Sequence, residues 1–65
     1  MIKYGVWFHG TDNEPESICY RGREPFVTDD IDSAIEHMVY LQDVAQDEAK
    51  DKFSIVELHI RGVNI

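Results

Sequence analysis

The chain has 65 residues, of which 43% are hydrophobic and 11% aromatic, and its 13 acidic and 6 basic residues give a net charge of −7. This length allows one domain, residues 1–65, with a core that buries only about 60% of the surface of the unfolded chain. The acidic balance disfavours direct contact with nucleic-acid phosphates or anionic membranes and favours a basic protein partner. Neither a signal peptide nor an apolar run of membrane-spanning length is recognisable, so a cytoplasmic protein is expected.

A domain this small usually needs a disulfide, a metal ion or self-association for stability. The single cysteine, Cys19, cannot form an intrachain disulfide, and the three histidines lack zinc-ligand spacing. One of the three histidines, His37, is expected to face solvent on the polar side of a helix. We therefore predict no cofactor, no bound metal and a homo-oligomer.

The first predicted element is a strand from Lys3 to His9, in which Tyr4, Val6 and Phe8 alternate with more polar positions. Residues 12–15 (Asp-Asn-Glu-Pro) have the composition of a turn. Residues 16–20 fit either a second strand or one helical turn, and the sequence leaves both open.

A helix is predicted to begin with Thr28 as the N-cap, because acidic residues follow it in the first turn. Its predicted core-facing residues recur at helical spacing: Ile31, Ala34, Ile35, Met38, Ala45 and Ala49. A last strand from Phe53 to Ile60 follows, with Ser54, Val56, Leu58 and Ile60 predicted to point inward. The predicted fold is α+β, with one long helix on one face of a small, mainly antiparallel sheet of two to four strands (ββαβ-like).

An acidic stripe is predicted on the helix about a third of a turn from its apolar face: Asp32, Glu36, Asp43 and Asp47, with Tyr40 beside them. Such a stripe is most commonly a solvated face. The functional interpretation is a docking surface for a basic protein, with Tyr40 as an aromatic anchor. Small size, acidity and the lack of a complete catalytic set also resemble small phage proteins that inhibit host or defence proteins. The sequence thus favours binding over catalysis.

Five segments resemble, in order, the first half of an ADP-ribosyltransferase domain: "WFHGT", "ESICYRG", "PFVTDD", "DSAIEHM" and "FSIVELHI". The resemblance implies a pocket for an NAD-like nucleotide at His9, Gly10 and Thr11. Arg21 and Arg23 would then face the phosphates. Members of that family also have a later strand with a catalytic glutamate, to which no segment after Ile60 corresponds. The alternative function is therefore a nucleotide-binding module without catalysis, closed by oligomerisation.

Overall fold

The predicted α+β class is confirmed by a computed structural model, which describes residues 2–59. One helix lies on one face of a mainly antiparallel sheet. The elements, in chain order, are β1 (Ile2–Phe8), β2 (Ser17–Ile18), β3 (Tyr20–Arg21), β4 (Glu24–Pro25), β5 (Val27–Thr28), α1 (Ile31–Val44), a short 3₁₀ helix (Asp47–Ala49) and β6 (Phe53–His59). The predicted end of the last strand, Ile60, lies outside the described residues.

Strand β1 is the centre of the sheet. On one side it pairs with β6 over its full length, from Ile2 opposite His59 to Phe8 opposite Phe53. On the other side β5 pairs with its N-terminal half and β2 with its C-terminal half. Between β2 and β5 along the chain, strands β3 and β4 pair with each other as a separate hairpin, with Gly22 (φ 69°) in its turn. Of residues 16–20, for which the sequence left two possibilities, Ser17, Ile18 and Tyr20 lie in strands and none is helical.

The helix begins two residues later than predicted, with Asp30 as its N-cap. The Asp30 carboxylate accepts hydrogen bonds from the backbone N–H of Asp32 (3.1 Å) and from the hydroxyl of Ser33 (3.0 Å). The prediction of Thr28 as the cap was wrong because the residues directly after it are not helical. Thr28 pairs with Tyr4 in β5, and the backbone stays extended at Asp30 (φ −109°, ψ 110°), so helical geometry begins only after Asp30. The Thr28 hydroxyl instead accepts a hydrogen bond from the N–H of Asp30 at 3.1 Å, which positions the true cap.

The helix also ends earlier than predicted. Ala45 and Gln46 have extended backbones (ψ 157° and 155°), so α1 stops at Val44. The chain must return to Phe53 beside the end of β1, and a helix continued to Ala49, the last predicted core-facing residue, would run about 8 Å further away. The ammonium of Lys50 donates to the carbonyl of Gln42 at 3.0 Å, and so satisfies one of the terminal carbonyls that have no partner within the helix.

The core lies between α1 and one face of the sheet. Its buried residues are Val6, Phe8, Cys19 and Ala49, and Met38, Leu41, Ala45, Phe53 and Ile55 pack against them. Ala34 is also fully buried, whereas Ile31 and Ile35 of the predicted core face are 45% and 41% exposed. The helix therefore turns toward the sheet a face centred on Ala34, Met38 and Leu41, and the prediction for the two isoleucines was wrong.

The predicted inward face of the last strand was also wrong. Phe53 and Ile55 lie opposite Phe8 and Val6, which face the helix, so the helix-facing side of β6 carries Phe53 and Ile55. Because side chains alternate along a strand, Val56 and its neighbours at even positions lie on the opposite face of the sheet. Alternation alone did not decide between two faces that are both largely apolar.

Candidate functional site

Three of the predicted acidic residues form a stripe along the solvent side of α1. Asp32, Glu36 and Asp43 are all exposed, and on the helical wheel they lie directly opposite the buried Ala34 and half-buried Leu41. They span about 16 Å along the helix axis. Among residues 2–59 the ion pairs join Lys3 to Asp29 and His59 to Glu57, so no carboxylate of the stripe is in an ion pair. The Lys50 ammonium contacts the stripe at the backbone, 3.4 Å from the carbonyl oxygen of Asp43.

Asp47 does not continue this stripe as predicted. It lies in the first turn of the 3₁₀ helix, after the extended Ala45 and Gln46. Its side chain is exposed, but its direction is no longer set by the periodicity of α1. Hereafter, the acidic stripe means Asp32, Glu36 and Asp43.

Tyr40 lies beside the acidic stripe and is 60% exposed. Its ring follows His37 in a row of stacked rings: the centroids of Phe26 and His37 are 4.2 Å apart, and those of His37 and Tyr40 are 6.3 Å apart. The row continues from the edge of the sheet to the solvent side of the helix. The prediction that His37 faces solvent was wrong. Phe26, which directly precedes β5, stacks against the His37 ring.

A cleft of about 830 Å³ lies between α1 and the β3–β4 hairpin. Its lining combines Arg21 and Tyr20 from the hairpin with Glu36, His37 and Tyr40 from the helix. The Arg21 guanidinium carbon lies 6.0 Å from the centre of the Phe26 ring, within the range of a cation–π contact. The Nε2 atom of His37 is buried and has no hydrogen-bond partner among the described residues.

The His-Gly-Thr segment, His9–Thr11, begins a tight loop, and its polar side chains form hydrogen bonds within the loop and to the neighbouring strand β6. The Thr11 hydroxyl accepts from the N–H groups of Asn13 and Glu14, both at 3.2 Å. The ring of His9 is hydrogen-bonded to the Ser54 hydroxyl at 2.8 Å. Gly10 has φ 85°, a conformation that favours glycine.

The five residues of the predicted nucleotide pocket do not line one cavity. His9, Gly10 and Thr11 line a polar cavity of about 350 Å³, together with Glu48 and Lys52. Arg21 lines the cleft beside α1. Arg23 is exposed in the hairpin turn. Within one chain, the described residues therefore divide this predicted site between two places.

Other candidate chemistry is sparse. Burial raises the pKa of the Cys19 thiol, which keeps it protonated within the core. In residues 2–59 no three His, Cys, Asp or Glu side chains come together as metal ligands. The same residues contain no helix of the length and apolarity needed to span a membrane.

Comparison with known proteins found no matching family model, no matching curated protein and no matching solved structure. The resemblance to ADP-ribosyltransferases therefore depends on the five sequence segments alone. The features available for assigning a function are the acidic stripe with Tyr40 and the adjoining cleft.

Proposed function

We propose that this protein is a non-catalytic binding protein that docks the acidic stripe of α1 onto a basic surface of another protein and thereby blocks that surface. One observation carries the proposal: Asp32, Glu36 and Asp43 are exposed on the side of the helix opposite the core, and among the described residues their carboxylates are in no ion pair.

Electrostatics supports a basic partner. Carboxylates spaced over about 16 Å of helix can face lysine and arginine side chains arranged to bind nucleic-acid phosphate. The attraction increases the association rate and acts over about one Debye length, roughly 8–10 Å at physiological salt. A small inhibitor of a nucleic-acid-binding host or defence protein is the form of this function that fits the net charge of −7.

Apolar contacts next to the stripe would supply the affinity that exposed charges do not. Tyr40 is 60% exposed on one side of it and Val39 is 55% exposed on the other. Exposed ion pairs stabilise complexes only weakly, whereas aromatic residues are common energetic centres of interfaces. The partner surface should therefore combine basic residues with an apolar depression that takes the Tyr40 ring.

Charge reversal with a matched control tests this function. The Glu36→Lys/Asp43→Lys variant changes the net charge by +4, as does Glu14→Lys/Asp51→Lys at exposed sites outside the stripe. We expect the stripe variant to bind the partner at least about thirtyfold more weakly and the control to change affinity less than about threefold. The partner is captured with the wild-type chain, and its affinity for all three proteins is measured by biolayer interferometry at two salt concentrations. Equal affinities for the two variants would contradict the assignment.

The cleft supports a second candidate function, the binding of a small ligand with a planar ring and a phosphate group. His37 Nε2 lacks a partner among the described residues, and a buried nitrogen of this kind is stabilised by a ligand donor or acceptor. The ring would stack near Tyr40, and the phosphate would face Arg21. Glu36 lines the same cleft and repels phosphate, which makes the acidic docking surface the stronger candidate.

Calorimetric titration with NAD, ADP-ribose and cyclic nucleotides tests the second function. If the cleft binds one of them, Arg21→Ala should weaken binding at least about tenfold, because a charge-assisted hydrogen bond is lost. Arg23→Ala is the matched control, since it removes the same charge from the hairpin turn outside the cleft. Absence of heat with every nucleotide, or equal losses in both variants, would rule out this candidate.

A further inference from the structure

The face of the sheet opposite α1 is largely apolar. Residues directly opposite each other on antiparallel strands have their side chains on the same face of the sheet. By this rule, five apolar side chains lie on the face opposite α1: Trp7, Ile18, Val27, Val56 and Leu58. We call these residues the outer sheet face. Val27 is 43% exposed, and the other four are partly exposed. In the described part of the chain, the helix contacts the sheet from the other side only, as its packing on Val6 and Phe8 shows.

The side chains of the outer sheet face form a close-packed layer. Gly5 lies at its centre, where an added Cβ would meet Ile18 Cδ1 at 3.2 Å and Leu58 Cδ1 at 3.4 Å. The indole N–H of Trp7 donates to the carboxylate of Glu16 at 3.0 Å, so the single polar atom of that ring is satisfied at the margin. An antiparallel sheet with one face in water ordinarily alternates apolar and polar residues, and this sheet does not.

The charge distribution indicates what covers this face. Eight of the 13 acidic residues fall between Thr28 and Lys52, in the helical layer and the loops flanking it. Among the β1 and β6 residues on the outer sheet face, Lys3 is the one with a charged side chain. Its ammonium lies 3.8 Å from a carboxylate oxygen of Asp29. Two chains of charge −7 repel each other, so self-association is least opposed through this nearly neutral surface.

We propose that two copies of this chain pack their outer sheet faces against each other around a two-fold axis. Packed sheets lie about 10 Å apart, and each helix axis lies about 10 Å from its own sheet, so the two helix axes would be roughly 30 Å apart and the acidic stripes on their outer sides further still. That distance is several Debye lengths at physiological salt. Pairing through the β6 edge instead would bring the two helices side by side and their acidic stripes close together.

The size of the face predicts the strength of the dimer. Three strand positions across the sheet and seven residues along β1 give a surface of roughly 14 by 23 Å. This is below the size of standard stable interfaces, so a weak dimer that dissociates on dilution is expected. The dimer would present two acidic stripes on opposite outer surfaces, and this arrangement holds whether or not those stripes bind a basic protein.

Light scattering and tryptophan fluorescence over a dilution series test the dimer. The expected mass falls on dilution from twice 7.5 kDa to 7.5 kDa. Trp7 is the only tryptophan, so its emission should shift to the red over the same concentrations. Added salt should not weaken the dimer, because it screens repulsion between two acidic chains. A mass of 7.5 kDa at every concentration up to about 1 mM would overturn the proposal.

Two variants with the same chemical change locate the interface. Val27→Lys adds a charge to the outer sheet face at a residue that is already 43% exposed, and Val39→Lys adds it to α1 at a residue that is 55% exposed. We expect Val27→Lys to raise the dimer dissociation constant at least about thirtyfold, and Val39→Lys to leave it within about threefold. Circular dichroism checks that both variants fold. A dimer that tolerates Val27→Lys, or whose formation leaves Trp7 emission unchanged, would overturn the assignment of the interface.

Discussion

Replacing Phe8 by alanine is expected to lower the free energy of unfolding by about 3–5 kcal/mol, the usual range for a buried phenylalanine. Phe8 is 9% exposed, and its ring centroid lies 5.2 Å from that of Phe53 on the neighbouring strand. The substitution removes the largest side chain of the buried cluster and leaves a cavity under α1. A 65-residue domain has a total stability of roughly 3–10 kcal/mol, so the variant should be mostly unfolded or close to it.

Urea denaturation followed by circular dichroism at one fixed protein concentration measures this loss. Val39→Ala is the control, because Val39 is an aliphatic residue that is 55% exposed on α1. Its free energy of unfolding should change by less than about 0.5 kcal/mol. If both variants had the wild-type midpoint, the stabilising core could not lie between α1 and β1.

Replacing Gly10 by alanine is expected to cost about 3 kcal/mol of stability. Gly10 has φ 85°, where an L-residue is strained by about 1–2 kcal/mol. In addition, the new Cβ would lie 2.9 Å from the carbonyl oxygen of Glu14 and 3.0 Å from the nitrogen of Glu16, both backbone atoms. The loop that Thr11 closes would have to open to relieve these contacts.

Gly22→Ala is the matched control for this loop. Gly22 also has a positive φ, 69°, but nothing lies within 4 Å of the position of its Cβ. We therefore expect Gly22→Ala to cost about 1 kcal/mol, the strain contribution without the clash. Thermal or urea unfolding of the two variants measures the difference. Equal losses would show that the loop after β1 is not closed by the contacts described above.

The close backbone contacts of Gly10 have a consequence for the ADP-ribosyltransferase resemblance. The histidine-glycine-threonine run has a local structural explanation: His9 binds Ser54, Gly10 takes a positive φ, and Thr11 closes the loop. Each of these residues is accounted for without a nucleotide. The histidine-glycine-threonine run therefore gives no support of its own to a nucleotide pocket, and the cleft at Arg21 is the place to seek a small ligand.

Local patterns were sufficient to predict the type and order of the main elements. Alternating apolar residues marked β1 and β6, and the acidic run after Thr28 marked the start of a helix to within two residues. The cap was shifted because the strand that contains Thr28 pairs with Tyr4, 24 positions away, and the chain becomes helical only after Asp30. No local signal ends α1 at Val44, since neither Gly nor Pro follows it. The end is set by the return of the chain to Phe53 beside β1.

The candidate site was predicted in part. Asp32, Glu36, Asp43 and Tyr40 are exposed on one helix, as their spacing indicated, because helical periodicity is a local property. Asp47 left the stripe with the end of the helix. The contact between Phe26 and His37 joins a sheet edge to the helix and had no sequence signal. The cleft was therefore missed, and within one chain Arg21 lines that cleft rather than the cavity beside His9.

By itself, the sequence determined the α+β class, the strand and helix periods and the acidic, solvent-facing side of α1, because these depend on neighbouring residues and on burial of apolar side chains. The tertiary structure alone decided which of the two apolar sides of β6 faces the helix. The pairing of Val6 with Ile55 and of Phe8 with Phe53 places those side chains under α1 and turns Val56 outward. A period of two distinguishes the faces of a strand, but only the register with β1 and the position of the helix determine which face is inside.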